Sequence, residues 1–135
     1  MKILALDLGD VWIGSALSDV LGLIATPHQT VKIDQLTSFL QKTLAEYQIQ
    51  TVVIGLPRTM RGTESEQTKK VIAHKEALEK QFPDIEWVFW DERLTSKQAE
   101  GLTKSYSAQE KQRSHARAAA FILQSYLDRQ QFLKN

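Results

Sequence analysis

The chain has 135 residues, 42% hydrophobic and 24% charged, with a formal net charge of +1 and no cysteine. That composition suits one soluble domain over residues 1–135: it is too apolar for a disordered chain and too short for two full lobes. The near-neutral balance leaves any nucleic-acid binding to a local patch, and the lack of cysteine excludes disulfides, thiolate metal sites and thiol nucleophiles.

The opening segment, MKILAL, is too short for a signal-peptide core. No apolar stretch approaches the roughly 20 residues of a membrane span, so a cytoplasmic protein is expected.

Lys2 to Leu8 is an apolar run that reads as a strand buried on both faces. Trp12 to Ser18 and Leu23 to Val31 follow as two more strands around a turn at Asp19 to Gly22. Three strands so closely spaced predict an antiparallel meander.

Asp34 is placed to cap a helix whose apolar positions are Leu36, Phe39, Leu40, Leu44 and Tyr47. Thr51 to Leu56, TVVIGL, reads as a buried strand, and Pro57 to Thr63 as a loop. A helix is expected over Glu64 to Phe82, a fifth strand over Ile85 to Trp90, and a short helix from about Ser96. A polar stretch from Lys104 to Gln109 precedes a last helix. Its predicted apolar stripe is Ala118, Ala119, Ile122, Leu123, Tyr126 and Leu127. The order β-β-β-α-β-α-β-α-α predicts an α/β three-layer fold with a five-stranded mixed sheet.

In such sheets chemistry collects at strand ends. Asp7-Leu8-Gly9 closes the first strand and Asp91-Glu92-Arg93 the fifth. Each alone is compatible with ordinary turn or helix-start chemistry. Side chains alternate along a strand, so at most one of Asp91 and Glu92 can join Asp7 if the strand continues.

Two such acids with a third ligand would suit Mg²⁺ or Mn²⁺, which prefer oxygen donors. His115 shares the stripe of the last helix, and is either that ligand or a helix-face histidine with a structural hydrogen bond. His74 is assigned the structural role, and His28 none.

Two groups of cations could meet phosphates. Arg58 and Arg61 flank the loop before the second helix, where backbone amides favour an anion. Lys104, Lys111, Arg113 and Arg117 stand against one anion, Glu110. A solvated charged loop is the alternative for this second group.

The motifs LALDLG with IGSALSD, then VVIGLPRTMRGTESEQ, WDERLTS and AAAFILQSYLD run in order from Ile3 to Asp128. Together they closely resemble the YqgF/RuvX family of pre-16S rRNA nucleases and Holliday-junction-resolvase relatives. The resemblance implies a ribonuclease H-like fold, a divalent-metal-dependent nuclease, and a role in maturing the 5′ end of small-subunit ribosomal RNA. Motif by motif, the family's first acid falls on Asp7 and its second on Glu92.

The sequence departs from the family pattern in three places. Asp10 and Trp12 replace a Thr and a basic residue, Arg61 replaces an acid, and His115 stands where the last helix usually carries Asp. A neutral imidazole at that place would suit Mn²⁺ better than Mg²⁺.

Three functions are therefore carried forward: a nuclease on structured RNA, a resolvase of junction DNA, and a catalytically weak nucleic-acid-binding assembly factor. The chain could act as a monomer or a homodimer. An actin-like ATPase, whose fold also opens on an Asp-x-Gly strand end, would need a second lobe.

Overall fold

A computed structural model describes residues 1–57, 65–91 and 108–134, with the side chains of the last segment described from Ser114 onward. The strands are β1 (Ile3–Leu8), β2 (Trp12–Ser18), β3 (Ala25–Lys32), β4 (Thr51–Leu56) and β5 (Glu86–Asp91). The helices are α1 (Leu36–Glu46), α2 (Glu66–Gln81) and α3 (Ala108–Lys134), with a 3-10 turn at Ile33–Gln35 before α1.

The five strands form one mixed sheet in the order β3-β2-β1-β4-β5. The meander is antiparallel, while β4 and β5 add in parallel beside β1. No helix among the described residues is long and apolar enough to cross a membrane.

Strand alternation divides the core in two. Leu4, Leu6 and Leu8 of β1 join Ile13, Leu17, Val52, Ile54, Leu56 and Trp87 beneath α1 and α2. Ala5, Ala16 and Val53 face the other way and pack under Ala119, Ile122, Leu123, Tyr126 and Leu127 of α3. Small residues on that second face let the long helix lie close to the sheet. The central strands are covered on both faces, as their unbroken apolar runs require.

Several boundaries differ from expectation. β3 starts at Ala25 rather than Leu23, because Asp19 Oδ1 accepts from the amides of Leu23 (2.7 Å) and Ile24 (3.0 Å) and prolongs the turn. Asp34 caps nothing: it lies inside the 3-10 turn, and neither that turn nor α1 has a side-chain cap. α2 spans Glu66–Gln81, capped by Ser65, whose hydroxyl accepts from the Thr68 amide. β5 runs one residue further than predicted, through Asp91. On α3 the buried alanines are Ala116 and Ala119, with Ala118 half-buried. The short helix expected from Ser96, the loop after Pro57 and residues 104–107 lie outside the described residues.

The start of α2 is anchored to the end of β4. The Thr68 hydroxyl is fully buried and donates to the Pro57 carbonyl. Thr68→Val keeps the shape but leaves that carbonyl without its donor. A loss of about 1–3 kcal/mol is expected in urea unfolding, the penalty for an unsatisfied buried polar group.

Candidate functional site

Asp7 is the last but one residue of β1, and its cross-strand partner on β2 is Gly14. Residues directly opposite in an antiparallel pair point to the same face. Asp7 follows Ile3 and Ala5 in that alternation, so its carboxyl lies on the α3 face. Burial strips water from this carboxyl and pushes its pKa up to about 6.

Gly14 explains what lies opposite. A Cβ built there would sit 2.9 Å from the Ala116 amide nitrogen, and closer still to the His115 carbonyl. The backbone of α3 at His115 and Ala116 therefore rests directly on β2, next to Asp7. Only a residue without a side chain allows so close an approach. His115 itself is half-buried, and burial lowers its pKa, so its neutral form persists to lower pH than that of an exposed imidazole. Both groups are thus biased toward their uncharged forms. Glycine within an apolar strand is the sequence signal for this contact.

β5 supplies the third side. Trp87 and Phe89 pack with the α1/α2 core, and Asp91 shares their parity, on the face opposite Asp7. Val88 and Trp90 face α3. The Trp90 indole N–H donates to Ser125 Oγ at 3.1 Å, and its ring meets Tyr126 edge-on. Trp90 pairs with Gly55 of β4.

Asp10 turns away from Asp7. It lies in the β1–β2 turn and reaches Lys70 of α2 at 3.4 Å, with both side chains mostly exposed. Gly9 closes the same turn, its amide donating to the Trp12 carbonyl at 3.0 Å.

Of the remaining expected site residues, Arg117 is exposed on α3, two residues past His115. Glu92, Arg58 and Arg61 lie outside the described residues, as do the side chains of Lys111 and Arg113. Among the described residues no group of three or more His, Asp or Glu is placed to hold a metal ion. His28, on the other face of β3, packs between Phe39 and Tyr47.

A family model described as "RuvX: Holliday junction resolvase" matches residues 1–129. A Rubrobacter xylanophilus protein named "Putative pre-16S rRNA nuclease" is 38% identical over 128 residues, covering 94% of this chain and 92% of that protein. A Sulfurihydrogenibium protein of the same name is 40% identical over 134 residues, covering 97% and 92%.

Among solved structures, T. thermophilus RuvC in complex with a Holliday junction substrate aligns with a TM-score of 0.60 at 16% identity. The alignment covers 97% of this chain and 96% of that one. At that identity the likeness is one of fold, the ribonuclease H-like architecture.

Proposed function

The chain belongs to the RuvX family, and from that premise we propose that it is a metal-dependent nuclease that processes the 5′ end of pre-16S rRNA. The carrying observation is the desolvated Asp7 carboxyl beside the His115 segment of α3, across the gap that Gly14 leaves. A carboxyl whose pKa burial pushes up to about 6 is uncomfortable as an anion, and a bound cation would relieve it. The donor chemistry therefore fits a divalent ion, Mg²⁺ or Mn²⁺, held by Asp7, Glu92 and His115. Glu92 follows Trp90 by two, the spacing that returns a strand to one face.

When bound, such an ion supplies charge for the transferring phosphoryl group and an activated water. The protein's own part is positioning. Asp7 is fixed by the centre of the sheet, and His115 by the packing of α3 on Gly14. Arg58, Arg61, Lys111, Arg113 and Arg117 would contact the phosphate backbone and make binding salt-dependent. Trp90, tied to Ser125, would wall the site on the β5 side.

The test is cleavage of structured RNA and of four-way junction DNA by wild type, His115→Asp and His115→Ala, in Mg²⁺ and in Mn²⁺. We expect RNA cleavage by wild type with Mn²⁺ ahead of Mg²⁺, and His115→Asp to shift the preference to Mg²⁺. His115→Ala should lose activity in both. Equal rates and preferences in all three would remove His115 from the ligand set. Cleavage by His115→Asp alone would make the natural protein a binding or assembly factor. Cleavage of junction DNA alone would make it a resolvase.

A further inference from the structure

A groove of about 450 Å³ lies between α3 and β3, lined by Arg117, Ala120, Phe121 and Gln124 of the helix and by Ala25 and Pro27 of the strand. The four helix residues fall at i, i+3, i+4 and i+7, a single stripe along α3. We propose that this groove holds one unpaired base of a single-stranded segment of the substrate, stacked on the Phe121 ring, with Arg117 on the adjoining phosphate. The proposal rests on the nucleic-acid reading above and gives that site a second, non-catalytic foothold.

The groove is built before any ligand arrives. Gln124 Oε1 accepts from the Ala25 amide at 2.9 Å, and its Nε2 donates to the Leu23 carbonyl at 2.9 Å and to Asp128 at 3.0 Å. These bonds tie the start of β3 to the helix and fix the width of the slot. Pro27 and Ala25 share the α3 face with Ala16, since Pro27 pairs with Ala16 and Ala25 with Ser18. The floor formed by Ala25 and Pro27 is thus apolar.

At the mouth, Arg117 is exposed, and no carboxylate pairs with it among the described residues. Phe121 is only half-buried, while Tyr126 of the same helix is in the core and Phe132 near its end is exposed. A cation and an aromatic ring lining one apolar slot match a nucleotide: phosphate outside, base within. The placement fits the same strand that would pass Asp7. Phe121 follows His115 by six residues, about 9 Å of helical rise. Stacking on a ring tolerates any base, so the groove would select for unpaired strand rather than for sequence.

The experiment measures binding of a single-stranded RNA carrying one 2-aminopurine, with EDTA present so that neither metal nor cleavage contributes. Wild type, Phe121→Ala, Phe121→Leu and Arg117→Ala are titrated across a salt series, alongside a fully paired duplex of the same sequence. Phe121→Ala should bind the single strand about tenfold more weakly, lose the 2-aminopurine quenching and keep the salt slope. Phe121→Leu should be as weak as Phe121→Ala, because it fills the slot without offering a ring, and its native fold guards against a trivial loss. Arg117→Ala should flatten the log–log salt slope by about 0.7. Duplex binding should be insensitive to residue 121.

Full binding by Phe121→Leu, or by Phe121→Ala, would overturn the stacking proposal alone. A wild type that binds neither RNA would overturn the nucleic-acid reading beneath it.

Discussion

Asp7→Asn should abolish cleavage while making the metal-free protein more stable at pH 8. The two effects have one origin. Burial raises the Asp7 pKa from an ordinary carboxylate value of 3.8 to about 6. The folded state therefore holds this proton more tightly than the unfolded chain does. Stability from the group is fully present below about pH 3.8 and is lost as the pH rises through 6, where folded Asp7 must ionise with less water around it than in the unfolded chain. A shift of about two units corresponds to about 3 kcal/mol at most, lost on the alkaline side. Asparagine has the same shape and no charge to desolvate, so it should recover much of that loss.

Urea unfolding in EDTA at pH 4.5 and pH 8 checks the point. Wild type should be the less stable protein at pH 8, with the gap narrowing toward pH 4.5. Equal stabilities at both pH values would mean that the carboxyl is not desolvated. Added Mn²⁺ should stabilise wild type and leave Asp7→Asn unchanged, since a ligand bound only to the folded state shifts the equilibrium toward it. Such an exchange of stability for function is what a buried charge at a reactive site implies.

Asp7 stands out in the sequence because it ends an apolar run, but in a strand buried on both faces alternation alone does not say which face its carboxyl takes. The same rule allows only one of Asp91 and Glu92 beside Asp7, and the structure places Asp91 with Trp87 and Phe89 on the other face. The five strands and the opening antiparallel meander follow from short connections, while the place of β4 and β5 beside β1 does not. What failed were features set by single hydrogen bonds. Nothing in the composition of residues 19–24 announces that one Asp19 oxygen holds two amides and delays β3 to Ala25. Asp34 has the right side chain for a cap but the wrong backbone, because a 3-10 turn forms first.

Of the predicted α3 stripe, Ala119, Ile122, Leu123, Tyr126 and Leu127 are in the core; only Ala118 differs, half-buried where Ala116 is buried. Alanine fits either side of a helix boundary, so periodicity could not decide between them. The groove beside Phe121 was invisible for a deeper reason. It depends on the distance between an edge strand and a helix about a hundred residues away in sequence, fixed by Gln124.

Gly14→Ala should be severely damaging for a change of one methyl group. The new carbon would lie inside contact distance of the His115 carbonyl and 2.9 Å from the Ala116 nitrogen. Those atoms are helix backbone, which cannot rotate away as a flexible side chain could. Either β2 or α3 must move, and β2 is held on both sides, by β1 and β3. The expected result is a rise of the N-terminal half of α3 off the sheet, with a stability loss of about 3 kcal/mol, the upper end for overpacking.

The functional loss should exceed what that destabilisation explains, because the segment displaced carries His115 away from Asp7. Ala16→Gly provides the contrast. Ala16 is fully buried on the same strand and face, two residues along, beneath the same helix. Removing its methyl should cost about 1 kcal/mol in cavity and backbone entropy, yet leave α3 seated on Gly14. Divalent-metal affinity measured calorimetrically on folded protein separates the two cases. Ala16→Gly should bind as wild type does, and Gly14→Ala should bind at least tenfold more weakly. Equal affinities would show that the close approach at Gly14 serves packing alone.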